Sequence, residues 1–106
     1  MRIAAVLLLV LLAAGPVNAQ AHAPQGYVPP HGFVPDSATA VRIAIAVWIP
    51  IYGERQIMSE QPFHATLKNS VWTVSGSLPQ GANQGGTARV RISKRDGRIL
   101  FVIHYQ

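Results

Sequence analysis

The sequence predicts an α+β fold in which one N-terminal helix packs on a curved, four-stranded antiparallel sheet. Apolar residues recur at helical spacing between Asp36 and Trp48, whereas after Pro62 they alternate with polar residues. Turn signals, of which Asp96-Gly97 is the strongest, divide the second part into four short runs. A helix followed by such a meander buries its apolar stripe on one face of the sheet.

The start of the chain has the pattern of a secretory signal peptide. Arg2 precedes a short apolar run over residues 3–14, Gly15-Pro16 interrupts it, and residues 17–19 are small enough for cleavage. The run is shorter than the about 20 apolar residues that span a bilayer, although an uncleaved anchor is the alternative. We expect a periplasmic or secreted protein with no membrane span after cleavage.

Cleavage after Ala19 leaves residues 20–106, and a cut after Ala21 is an alternative. Removal of Arg2 leaves eight Lys and Arg residues against four acids, a net charge of +4. The chain has no cysteine, so packing alone must hold this small exported domain together. The expected large core residues are Trp48, Tyr52, Phe63, Trp72, Phe101 and Tyr105.

Three segments follow from composition: a signal peptide at 1–19, a tail at 20–35 and an α+β domain at 36–106. The tail has four prolines, two glycines and no Asp, Glu, Lys or Arg, which is typical of extended or disordered structure. Asp36, or Ser37 one residue later, suits the N-cap of the helix. Pro50 predicts that the helix ends or kinks near residues 48–49.

The four predicted strands lie within residues 63–68, 71–78, 88–94 and 98–105. The first three alternate in polarity, as expected of strands with one buried face. The fourth, RILFVIHY, is apolar on both faces, which predicts a central or doubly covered strand.

The ordered segments VWIPIYG, PFHATL, VWTVSGSLPQG, GG and RISKRDGRI resemble the nuclear-transport-factor-2-like fold immunity proteins of polymorphic toxin systems. The resemblance covers about residues 36–105. It implies a short nuclear-transport-factor-2-like, or cystatin-like, topology. It also implies a binding role, neutralising a toxin protein by direct contact, with no catalysis. We expect no cofactor.

A basic cluster straddles the last hairpin and is the candidate partner-binding surface. Its members are Arg89, Arg91, Lys94, Arg95 and Arg98. It could dock an acidic partner, anionic lipid or wall polymer. The alternative is a solvated strand face whose charges protect a sheet edge. We expect no nucleic acid partner, because no basic groove with interleaved aromatic residues is present.

A small-ligand pocket is the alternative function, and its candidate lining residues are Trp48, Tyr52, Trp72 and His104. Acid–base catalysis would need His64 or His104 beside Glu54 or Glu60. A solvent-facing strand histidine is the alternative for both. The sequence has no serine elbow, phosphate-binding glycine loop or cysteine nucleophile, so we expect no enzyme.

One metal site is conceivable, and it depends on processing. Cleavage after Ala19 would place Gln20-Ala21-His22 at the N-terminus, where four nitrogens could hold Cu(II) or Ni(II) in a square plane. Cyclisation of Gln20 or cleavage after Ala21 abolishes the site, and no metal is otherwise expected. An unpaired edge in so short a meander makes a homodimer through that edge reasonable.

Overall fold

A computed structural model describes residues 25–79, 81–82 and 85–106. The expected signal peptide and the Gln20-Ala21-His22 site lie outside the described residues.

The first described helix, α1, spans Ser37–Tyr52. Asp36 is its N-cap, as expected, and the carboxylate accepts a hydrogen bond from the backbone N–H of Thr39 at 2.8 Å. Every fourth residue of one face, namely Ala40, Ala44 and Trp48, is fully buried. These residues form the centre of an apolar stripe, and Val41, Ile43, Ile49 and Tyr52 pack partly buried beside them.

Of the two outcomes predicted for Pro50, an end of α1 near residues 48–49 is wrong, because the helix continues to Tyr52, and a kink stays a prediction. Pro50 deprives only the carbonyl of Ala46 of its helical donor, and both residues are exposed, so water can replace that bond. At the end of the helix, the backbone N–H of Gly53 donates to the carbonyl of Ile49 at 2.8 Å. Gly53 has a φ of 94° and ends the helix there.

A short helix and a single sheet complete the domain. Helix α2 spans Glu54–Met58. The strands are β1 His64–Lys68, β2 Val71–Ser75, β3 Ala88–Ser93 and β4 Ile99–His104. They form an antiparallel meander in the order β1-β2-β3-β4, which confirms the predicted fold class.

Strand β4 lies at a sheet edge, so the expectation of a central or doubly covered strand is wrong. Each strand pairs with its predecessor in the chain, which leaves the last strand with one neighbour. Its apolar residues Ile99, Leu100 and Phe101 are all exposed.

The inner face of the sheet packs on α1 and forms the core. One row of paired residues across it is Ala65, Val74, Val90 and Val102. The next row is Leu67, Trp72, Ile92 and Ile99. Val74, Val90 and Ile92 are fully buried in one apolar cluster with Trp48. Removal of this apolar surface from water is the main contribution to the stability of the folded domain.

Part of the segment expected as a tail is held by the β3–β4 hairpin. The backbone N–H groups of Phe33 and Val34 donate to the carbonyls of Arg95 and Lys94, each at 3.0 Å. The indole of Trp72 donates to the carbonyl of Val34 at 2.8 Å, and the Val34 side chain is fully buried. The chain thus enters the core two residues before the N-cap.

Candidate partner-binding surface

The face of the sheet opposite α1 is called the outer face. In antiparallel strands, directly opposed residues point to the same side, so the register defines this face. Its residues on β1 and β2 are His64, Thr66, Lys68, Val71, Thr73 and Ser75. On β3 and β4 they are Arg89, Arg91, Ser93, Phe101 and Ile103. Among the described residues, no helix or strand covers this face.

Two arginines of the outer face lie over exposed aromatic rings. The guanidinium carbon of Arg91 is 5.5 Å from the ring centroid of Phe101, and that of Arg89 is 5.3 Å from that of Tyr105. Nε of Arg89 also donates to the hydroxyl of Ser75 at 3.2 Å. Cation–π contact orders these long side chains before any partner arrives, and arginine with aromatic residues is the composition enriched in protein interfaces.

Phe101 and Tyr105 were expected to fill the core, and that expectation is wrong. Their exposed fractions are 43% and 42%. The apolar pattern of RILFVIH indicated a strand but could not tell which of its two faces would be covered. Their exposure beside arginine is therefore a feature that sequence reasoning missed.

No acidic residue lies on the outer face. The chain has four: Asp36 caps α1, Glu54 opens α2, Glu60 is buried, and Asp96 lies in the last hairpin. In that hairpin, Asp96 accepts from the backbone N–H of Arg98 at 3.0 Å, and this bond holds the pKa of the carboxyl below its ordinary value. Arg89, Arg91 and Lys68 thus give the outer face an uncompensated positive charge.

The structure divides the predicted basic cluster into two groups. Arg89 and Arg91 belong to the outer face, whereas Lys94, Arg95 and Arg98 lie in the hairpin between β3 and β4. The ammonium of Lys94 donates to the carbonyl of His31, and the backbone of Arg95 also holds the entering chain. The hairpin group is therefore partly engaged with residues of its own chain.

A groove of about 570 Å³ runs along the outer face at the hairpin end of the sheet. Lys68, Thr73, Arg91, Leu100 and Phe101 contribute to its walls. It is broad and open, a shape that suits a protein segment better than a small molecule, which is usually enclosed on most sides.

The four residues predicted to line a pocket do not meet at one site. Trp48 and Trp72 lie in the core, with Trp48 against Phe63 at a ring-centroid distance of 5.7 Å. Tyr52 and His104 do come together, with centroids 5.1 Å apart, beside a shallow depression of about 340 Å³. Binding of a ligand there stays a prediction.

Glu60 forms a buried polar cluster next to this depression. Oε1 accepts from the backbone N–H of Ala88 at 2.8 Å, while Oε2 accepts from Nε2 of Gln56 at 2.9 Å and lies 2.7 Å from Nε2 of His104. Burial raises the pKa of the Glu60 carboxyl, but these hydrogen bonds outweigh it and the net pKa is lowered. Glu60 therefore holds its negative charge inside the fold.

The Glu60–His104 pair is built as a structural tie. Nδ1 of His104 lies 2.8 Å from the carbonyl of Tyr105, so both ring nitrogens already have partners. Glu60 is fully buried and Oε1 faces the backbone. The hydrogen bonds of Glu60 therefore link the segment after α2 to both β3 and β4.

The predicted catalytic alternatives do not form a second site. His64 is exposed on the outer face and Glu54 lies at the start of α2. Within residues 25–79, 81–82 and 85–106, no three His, Cys, Asp or Glu side chains are grouped so that they could hold a metal ion. The same described residues include no helix long and apolar enough to cross a membrane.

Comparison with known proteins gave one result. A family model described as NTF2 fold immunity protein matches residues 39–106. Neither the curated proteins nor the solved structures gave a match. The matched region contains nearly all of α1, the whole sheet and both outer-face arginines.

Proposed function

The chain belongs to the NTF2 fold immunity proteins, and we propose from this premise that it neutralises a toxin by direct contact through the outer face. Its role is binding, and the toxin is its partner.

The main observation in favour of the outer face as the binding surface is the pair of arginines that lie over Phe101 and Tyr105. These groups combine exposed apolar area with ordered positive charge on a face that lacks acids. Interfaces draw most of their binding energy from a few such residues, above all Arg, Tyr and Trp. Electrostatic complementarity then favours an acidic toxin surface.

We also propose that neutralisation takes place outside the cytoplasm. Support comes from the N-terminal charged, apolar and small-residue pattern. An inhibitor of a basic, nucleic-acid-cutting toxin gains from an acidic surface, and this chain has the opposite charge. A toxin that acts on the wall or membrane fits both features.

The test is survival of cells that express a toxin encoded beside this chain. Wild-type chain should restore colony counts, and the double variant Arg89→Gln/Arg91→Gln should reduce rescue by about tenfold or more, since each lost hot-spot contact costs about 1–2 kcal/mol. The matched control is Arg42→Gln/Arg55→Gln, which removes the same charge from exposed helical positions. Failure of the wild-type chain to protect would refute the function, and equal losses from both doubles would refute the surface.

A small-ligand site at the Tyr52–His104 depression is the second candidate. The observation in its favour is the convergence of a phenol, an imidazole and the amides of Gln56 and Gln106. A ligand that raises the melting temperature of the wild-type chain but not of Tyr52→Ala would support it.

A further inference from the structure

Strand β4 leaves one side of its backbone unpaired in the described structure. The N–H of Tyr105 bonds the carbonyl of Thr87 at 3.1 Å, and the register pairs His104 with Ala88. Because antiparallel pairs alternate between bonded and non-bonded, the backbone groups of Val102 and His104 point away from β3. They form a short row of donors and acceptors at the free edge.

This edge lacks the usual protection against an added strand. Residues of β4 include no proline and no Lys, Arg, Asp or Glu, and Ile99, Leu100 and Phe101 are exposed. The opposite edge, β1, carries Lys68 at its end and packs against α1. Charges and prolines are the common means of blocking edge pairing, so β4 is the edge open to it.

The positions of Arg89 and Arg91 indicate which side chains an added strand should have. Both guanidinium groups extend from β3 across to aromatic rings on the β4 side of the sheet. A new strand would lie about 4.8 Å beyond β4. Its side chains on the outer face would therefore stand next to the guanidinium groups of Arg89 and Arg91, where carboxylates would be bound in a partly desolvated setting.

A second copy of this chain is a poorer occupant. Two copies paired through β4 about a two-fold axis would present their outer faces on the same side of one continuous sheet. Four arginines would then crowd four adjacent strands with no acid among them, in a chain of net charge +5. Like-charge juxtaposition opposes this pairing and favours an acidic segment.

We propose that the toxin contributes an extended segment that pairs with the free edge of β4 and directs carboxylate side chains towards Arg89 and Arg91. This inference rests on the proposed function, and it specifies the mode of binding: main-chain bonds provide the docking, and alternate acidic side chains provide the selection.

The first test uses the full chain and the toxin against which it protects. Val102→Pro removes an edge N–H that the sheet does not use, so the fold should tolerate it while affinity for the toxin falls about tenfold or more. Ala65→Pro is the matched control, because the same alternation turns the Ala65 N–H to the other free edge. Melting curves of both variants establish that they fold.

The second measurement needs no variant that alters the backbone. Amide exchange of the wild-type chain, followed by NMR, should slow by about tenfold or more at Val102 and His104 in the complex, with no change along β1. Arg91→Glu should weaken binding more than Arg42→Glu, and the weakening should diminish at high salt.

The outcomes distinguish the proposed binding mode, edge pairing, from the proposed function, toxin neutralisation. If the chain protects cells while the amides of Val102 and His104 exchange unchanged, the function stands and edge pairing is overturned. If those amides become protected by self-association alone, the occupant is a second copy and the acidic segment is overturned. If the chain protects against no toxin, both proposals are refuted.

Discussion

Substitution Glu60→Gln tests the view that a buried carboxylate ties the end of α2 to β3 and β4. Glutamine keeps the shape of the side chain, and its carbonyl can still accept from Ala88 at the position of Oε1. Its amide nitrogen then replaces Oε2 and can no longer accept from Nε2 of Gln56, and the negative charge that faces His104 is removed. The hydrogen bond from Gln56 and the carboxylate's charge interaction with His104 are thus lost inside a fully buried site.

The magnitude follows from the interactions that are lost. A hydrogen bond to a charged group contributes about 1.5–3 kcal/mol, and breaking one partner of a buried pair costs about 3–5 kcal/mol. We expect a loss of about 3 kcal/mol in the free energy of unfolding near pH 7. A domain of this size changes its melting temperature by about 4–8 °C per kcal/mol.

The pH dependence has a defined sign. The pKa of Glu60 is lowered by folding, so its contribution is present above the unfolded pKa of about 4.5 and is lost as pH falls through the folded pKa. The gap in unfolding free energy between wild type and Glu60→Gln should therefore be widest near neutral pH and narrow in acid. Urea unfolding followed by circular dichroism, measured at several pH values, checks this.

Glu54→Gln provides the control, because it removes the same charge from an exposed position at the start of α2. It should cost less than about 1 kcal/mol. A Glu60→Gln variant within about 1 kcal/mol of wild type, or a gap that stays constant with pH, would refute the buried tie. A double-mutant cycle with His104→Gln should give a coupling energy of about 1–3 kcal/mol.

Two further predictions concern buried contacts. A Cβ at Gly76 would lie 2.6 Å from Oε1 of Glu60, so Gly76→Ala should destabilise the domain by about 1–3 kcal/mol. The control Gly26→Ala should be nearly neutral, because a Cβ at Gly26 would have nothing within 4 Å. Thermal unfolding compares the two variants, and equal melting temperatures would contradict the contact with Glu60. Trp72→Phe should cost about 1–2 kcal/mol more than Trp48→Phe, because only the indole of Trp72 has a hydrogen-bond partner in the described structure, and equal losses in urea unfolding would refute this.

Part of the candidate site could be read from the sequence because it rests on local alternation. Arg89 and Arg91 alternate with Val90 and Ile92, which places the arginines together on the solvent side of one strand. Their aromatic partners could not be assigned, because Phe101 has apolar neighbours on both sides and alternation says nothing about its face. The register with β3 places it beside Arg91.

Glu60 is a second residue whose environment could not be predicted from the sequence. In the sequence it lies in a polar connection with no local sign of burial. Its partners Ala88 and His104 are 28 and 44 residues away, so only the folded chain brings them together. Gly76 depends on the same long-range contact, because a Cβ there would lie 2.6 Å from Oε1 of Glu60.

The sequence by itself determined the class of fold, since capping at Asp36, the alternating strands and the Asp96-Gly97 turn act over a few residues. The tertiary structure alone decided that Pro50 stays within α1, that β4 is an edge and that Val34 enters the core. These outcomes depend on which groups meet water and which meet distant parts of the chain. Such non-local contacts, rather than any short motif, leave an arginine-bearing face open to a partner.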